Sequence, residues 1–237
     1  MSESRKLGII GGLSWVSTRH YYERINTMVS EICGKQHSAN LLISSLDFQP
    51  VIDAQVKNNW GIIADRLSKE ASNLQKSGAS GFLIASNTIH LVLEKIKEST
   101  FIPALSIFDA ISGEAKSKGI SSLGLLGTKY TMTHEFFVDE YAKRGIKIVV
   151  PDKLDRNIVN EIIFRELIHG NCRTESAEKI TVCANKLMGQ GAGGILLGCT
   201  ELSLLTRKWP SEIPFLDSTE LHCRFAVEWL LTKQKIG

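Results

Sequence analysis

Two short segments combine residue types and spacing suited to proton chemistry: Ser86-Asn87-Thr88 and Cys199-Thr200-Glu201, each following an apolar run that reads as a β-strand. Each places a nucleophile-type side chain and backbone N–H groups at a strand-to-helix junction, where a helix N-terminus favours both a thiolate and a bound carboxylate. A cysteine thiol, with an ordinary pKa of about 8.5, is mostly protonated at neutral pH. This setting is expected to lower that value and supply a thiolate base. A lone cysteine at a strand end is more often a small packed residue than a catalyst. What separates Cys199 from Cys33, Cys172, Cys183 and Cys223 is that its turn has a counterpart elsewhere in the chain.

That counterpart belongs to an internal repeat. Leu7-Gly8-Ile9-Ile10-Gly11-Gly12 matches Leu123-Gly124-Leu125-Leu126-Gly127-Thr128, and Phe82-Leu83-Ile84-Ala85-Ser86-Asn87-Thr88 matches Ile195-Leu196-Leu197-Gly198-Cys199-Thr200. The separations nearly agree, 78 residues from Gly8 to Ser86 and 75 from Gly124 to Cys199. A repeat of this size predicts two similar lobes. Residues 1–103 with 216–237 are expected to form the first and residues 104–215 the second, related by a pseudo-twofold axis, with the ligand site in the cleft between them. Ser14 and Thr128 follow the glycines, where they either line a ligand turn or cap the next helix; for Ser14 capping is the favoured sole role.

The elements that must position these turns follow from hydrophobic periodicity. Short apolar runs alternate with longer amphipathic stretches, the pattern of parallel strands joined by crossover helices, so the fold class is α/β, each lobe a mainly parallel sheet flanked by helices. Strands are expected at Leu7 to Ile10, Leu41 to Ser45, Phe82 to Ala85, Leu123 to Leu126, Ile146 to Val150 and Gly194 to Leu197. Helices are expected after Ser14 through Val29, from Trp60 to near Gly78, around Ile158 to Ile168, and from Ala177 to Met188. A last helix, roughly Thr219 to Lys235, carries apolar Leu221, Phe225, Trp229 and Leu230 that need a partner, predicted to be the first lobe.

Composition narrows the function classes. The chain has 237 residues, 43% hydrophobic and 22% charged, with a formal charge of +3. No apolar run approaches the roughly 20 residues of a membrane-spanning helix. No concentrated basic run suggests a nucleic-acid surface. Five cysteines without CxxC or zinc-ligand spacing read as mostly free thiols. The segment Met1 to Lys6 leads directly into the first strand, which leaves no room for a signal peptide and predicts a cytoplasmic protein. Gly8, Gly11 and Gly12 lack the GxGxxG spacing of a dinucleotide site.

Gly8 to Trp15, Asn87-Thr88-Ile89-His90 and Leu197-Gly198-Cys199-Thr200-Glu201-Leu202, together with Asp47-Phe48 and Asp217-Ser218, resemble the motifs of the aspartate/glutamate racemases in order and spacing across nearly the whole chain. The resemblance implies racemisation without pyridoxal phosphate or any other cofactor: one cysteine removes the α-proton and an opposing cysteine protonates the other face. Ser86 stands at the first cysteine position, and a hydroxyl donates a proton far more readily than it serves as a base. Cys199 is then the base facing the L-side proton, with slow or L-biased exchange. Backbone N–H groups at Asn87, Thr88 and Thr200 are the expected carbanion stabilisers. The resemblance further suggests Gln55 as a side-chain binder and places His169 where relatives carry a lysine for the distal carboxylate, with Arg165 an alternative cation. Glu201 is given a supporting role, His90 is left open, and a homodimer binding a small acidic amino acid is expected. The alternative is an acidic amino-acid-binding protein without turnover.

Overall fold

The computed structural model describes residues 5–203 and 212–232. The chain folds into two compact units, one built from residues up to Ser106 and from His222 onward, the other from Ile107 to Leu221.

In the first unit β1 (Leu7–Gly11), β2 (Leu41–Ser45) and β3 (Gly81–Ile84) form a parallel sheet in the order β2-β1-β3. Both β1 and β3 are buried along their whole length, which is why they read as unbroken apolar runs. Side chains alternate between the two faces of the sheet. Leu7, Ile9 and Leu83 join Tyr21, Ile25, Met28 and Val29 of α1 (Trp15–Cys33) on one side; Ile10, Phe82 and Ile84 meet Ile63, Leu67, Ala71 and Leu74 on the other. The latter four come from α3 (Trp60–Lys76), whose Asn59 cap accepts from the Ile62 N–H at 3.4 Å. Gly78, with φ of 89°, turns the chain back toward β3. Between β2 and α3 lies α2 (Gln49–Val56), a helix too short to leave a clear periodic signal. A 3₁₀ turn at Thr88–Val92 and α4 (Leu93–Lys97) follow β3.

The second unit repeats the order with one strand added. β4 (Ser122–Leu126), β5 (Lys147–Val149), β6 (Ile195–Leu197) and β7 (Phe215–Asp217) are parallel and run β5-β4-β6-β7. Its helices include α5 (Ile107–Ser117), α6 (Lys129–Thr133), α7 (Glu135–Ala142), α8 (Lys153–Arg165) and α9 (Thr174–Gly189). The expected helix through Ile168 stops earlier: Glu166 leaves helical geometry at φ −126°, and Leu167–His169 form a 3₁₀ turn closed by left-handed Gly170. The three-residue β7 has no counterpart among the expected strands.

The last helix, α10 (Ser218–Leu231), is capped by Asp217, whose Oδ1 accepts from the N–H groups of Thr219 and Glu220 at 2.9 and 3.1 Å. Phe225, Ala226, Val227, Trp229 and Leu230 belong to the first unit's core, whereas Leu221 belongs to the second's. Trp229 lies against Gly81, where a Cβ would stand only 2.7 Å from the indole. The expected extension to Lys235 falls outside the described residues.

Candidate active site

Parallel strands bring their carboxyl ends to one edge of each sheet, where ligand turns of α/β proteins gather. In the first unit this edge carries the Gly11-to-Ser14 turn after β1 and the Ala85-to-Thr88 turn after β3. The Ala85 N–H donates to the Ile10 carbonyl at 3.0 Å, so the two turns leave adjacent strands side by side. Gly12 adopts φ of 72° with the Leu46 backbone so close that a Cβ would overlap it at 2.1 Å. Only glycine fits there. Thr18 braces the turn, accepting from the Gly12 N–H at 2.7 Å and donating to the Ser14 carbonyl at 3.0 Å.

Ser14 stands before α1 but does not cap it through its side chain, contrary to the favoured expectation. Its φ is 96°, outside the extended geometry from which a cap side chain reaches the first-turn N–H groups. A non-glycine residue in that region carries strain of about 1–3 kcal/mol, and such strain concentrates at functional sites. Thr128 does cap, accepting from Thr131 N at 3.4 Å and meeting the Thr131 hydroxyl at 3.1 Å.

Ser86, Asn87 and Thr88 are partly exposed between buried Ala85 and Ile89. The Ser86 N–H turns back to the Ile84 carbonyl at 2.8 Å, ending the strand, and the Ser86 carbonyl receives the Nδ1–H of buried His90 at 2.7 Å.

In the second unit the Gly198 N–H donates to the Leu126 carbonyl at 2.7 Å and sets the Cys199 turn beside the Thr128 turn. A Cβ at Gly198 would come within 2.9 Å of Leu125 and 3.5 Å of Thr131, so the glycine permits this close approach. The Cys199 thiol donates to Glu201 Oε2 at 2.8 Å, and the Thr200 hydroxyl donates to the same oxygen at 2.7 Å. Burial pushes the Cys199 thiol well above its usual range, and the Glu201 carboxylate adds to the rise through its charge and its hydrogen bond. The expectation of a lowered pKa is therefore corrected: an adjacent anion and loss of solvent outweigh the helix-start N–H groups. Both effects favour the protonated thiol.

Gln55 lies half-buried on α2, and His169 is exposed on the 3₁₀ turn after α8, its N–H donating to the Glu166 carbonyl at 3.0 Å. Arg165 is exposed and pairs loosely with Glu161 at 3.7 Å. No described hydrogen bond joins Gln55 to the Ser86 turn of its unit, or His169 and Arg165 to the Cys199 turn of theirs. Among the described residues no group of three His, Cys, Asp or Glu side chains is arranged to hold a metal ion, and no helix is long and apolar enough to cross a membrane.

The family model for Asp/Glu/hydantoin racemases matches residues 10–226. The chain belongs to that family. A candidate Asp/Glu racemase from Yersinia pestis has a crystal structure 38% identical to it, with a TM-score of 0.91 over 96% of this chain and 100% of the other. An aspartate racemase homologue from Pyrococcus horikoshii is 32% identical, with a TM-score of 0.88 over the same shares. A broad-specificity amino-acid racemase of Bacillus subtilis is 21% identical over 231 residues, 96% of this chain and 99% of that relative. The family match covers both strand-end turns.

The residues that sequence alone left open are the buried polar ones. His222 and Tyr21 are 201 positions apart yet hydrogen-bonded at 2.9 Å, a pairing that no local spacing announces.

Proposed function

We propose that this chain racemises acidic amino acids, aspartate or glutamate, without a cofactor, with Cys199 as the base for the L-face and Ser86 as the opposing proton relay. The observation that carries the reading is the thiol of Cys199 donating to Glu201 at 2.8 Å within a racemase motif. A protonated thiol cannot remove an α-proton, so Cys199 first passes its hydrogen to Glu201; the resulting thiolate takes the substrate's α-proton and becomes a thiol again. The Ser86 hydroxyl then gives its hydrogen to the opposite face, and solvent restores both oxygens. Backbone N–H groups at Asn87, Thr88 and Thr200 are assigned to the developing negative charge. Ser14 and Thr128 line the substrate turns, and Gln55 and His169 are assigned to the distal carboxylate. A homodimer in the cytoplasm accompanies this reading.

A second reading is a binding protein without turnover, favoured by Ser86 itself, because a hydroxyl is a poor base in the reverse direction. Chiral chromatography of L- and D-aspartate and glutamate, with neutral amino acids included because the B. subtilis relative is described as broad in specificity, separates the two. The racemase reading expects conversion in both directions with equal kcat/KM, since the equilibrium constant of racemisation is one, and its loss by about a hundredfold or more in Cys199→Ala. Ligand binding with no conversion by the wild-type protein, under conditions that leave it folded, establishes the binding reading instead.

A further inference from the structure

Behind the Ser86 turn lies a run of buried polar side chains that the proton transfer itself does not use. His90 is 1% exposed, and His222 is fully buried. The main-chain N–H of His90 donates to the Asn87 carbonyl at 3.2 Å, in the tighter 3₁₀ pattern, so it is the ring that supplies a donor to the Ser86 carbonyl, at 2.7 Å. The His90 ring stands against that of His222, with centroids 5.6 Å apart and planes at 63°. His222 is held at both nitrogens: Nε2 lies 2.8 Å from the Leu105 carbonyl and Nδ1 lies 2.9 Å from the Tyr21 hydroxyl. The Leu105 N–H in turn donates to the Phe82 carbonyl of β3 at 2.7 Å.

A carbonyl only accepts, so the partners fix the hydrogens: His90 carries one on Nδ1 and His222 one on Nε2. An imidazole that served packing alone would be replaceable by leucine with no donor placed on the catalytic turn. Here its one assigned hydrogen goes to the carbonyl of the residue that must deliver a proton. We infer that His90 is a positioning residue for the Ser86 half of the reaction: it fixes the Ser86 peptide and thereby the direction of the hydroxyl, while His222 and Tyr21 hold its ring in place. The inference rests on the racemase reading and concerns one face of the substrate only, since none of these hydrogen bonds involves Cys199.

The test follows L-glutamate and L-aspartate in deuterium oxide, recording deuterium in recovered L-substrate and the amount of D-product for wild type, His90→Leu, His90→Asn and His90→Gln. Return of deuterium to the L-face reports Cys199; inversion requires Ser86. In His90→Leu inversion falls by about tenfold or more relative to exchange, a magnitude consistent with small misplacement of a reacting group, while exchange on the L-face stays within about twofold. His90→Asn, whose amide N–H stands near the position of Nδ1, recovers inversion; His90→Gln, whose N–H stands near that of Nε2, does not. The Asn and Gln pair carries the comparison if the leucine variant fails to fold. Equal losses of exchange and inversion, or an unchanged ratio in all variants, overturn the positioning role and leave the racemase reading standing. A folded wild-type protein that neither exchanges nor inverts overturns both.

Discussion

At the scale of single residues, burial first and Glu201 second raise the pKa of the Cys199 thiol. With the thiol pKa raised by burial and by the carboxylate, the thiolate fraction grows as pH rises, so activity is expected to increase from neutral into the alkaline range. Glu201→Gln removes the neighbouring charge and the strong acceptor, which lowers the thiol pKa. Alkylation of Cys199 by iodoacetamide at pH 8 should then quicken, by about tenfold for each unit of fall, while racemisation drops because the proton acceptor is gone. Faster alkylation together with faster racemisation would show that the carboxylate restrains the thiol and takes no proton. Ser14 offers a second residue-level prediction. Its φ of 96° is glycine's territory, so Ser14→Gly should stabilise the protein by about 1 kcal/mol in urea unfolding. If the strained serine lines the substrate turn, the same variant raises KM; a stability gain with unchanged kinetics would restrict Ser14 to shape. The strand-end placement of Cys199, Ser86 and the glycine turns was legible because a repeat puts them in register. Sequence misjudged the thiol, because the sign of the shift depends on where the Glu201 carboxylate lies and on how little water reaches the sulfur.

At the scale of elements, the strands that were easiest to read are those buried on both faces. β1, β3 and β4 each present an apolar run with glycine where a neighbour approaches closely. Gly124 in β4 has Ile195 and Leu187 at 2.7 and 2.9 Å from where a Cβ would be, and Gly81 in β3 has Trp229 at 2.7 Å. Most elements that escaped notice, α2, α4, α6, α7 and β7, are three to eight residues long and hold their places by tertiary contact, whereas the 11-residue α5 was missed despite its length. Gly81→Ala should therefore act on α10, forcing the Trp229 ring away and costing about 1–3 kcal/mol. Because α10 also carries His222, this variant should disturb the His222–Tyr21 hydrogen bond, measurable as a shift of the histidine ring resonances by NMR. An unchanged unfolding midpoint and unchanged histidine resonances would mean that the Trp229 ring does not pack on Gly81.

At the scale of the whole molecule, buried thiols link stability to pH. Burial and the Asp155 carboxylate push the Cys183 thiol up to about 11, and Cys199 is raised as well. A thiol whose pKa is higher folded than unfolded holds its proton more tightly in the native state. Its contribution is fully present below the unfolded value of about 8.5 and is lost as pH climbs through the folded value. Urea unfolding should accordingly give constant stability near neutrality and a decline from about pH 8.5 to 11, on the order of 3 kcal/mol from Cys183. Cys183→Ala should lessen the slope; a slope unaffected by that change would place the linkage elsewhere. The α/β class was legible from hydrophobic periodicity and the two lobes from the repeat, since two copies of strand, turn, strand and turn require two sheets. The fourth strand of the second unit was not, nor was buried His222, whose partners Tyr21 and Leu105 lie far away in sequence.

The proposed role of Cys199 as the L-face base is tested most directly by deuterium incorporation at the α-carbon of L-aspartate and L-glutamate in wild type, Cys199→Ala and Ser86→Cys. The wild-type protein should exchange faster than it inverts, Cys199→Ala should do neither, and Ser86→Cys should invert faster than wild type because a thiol replaces the poorer hydroxyl. Exchange of the L-substrates that persists in Cys199→Ala would contradict it.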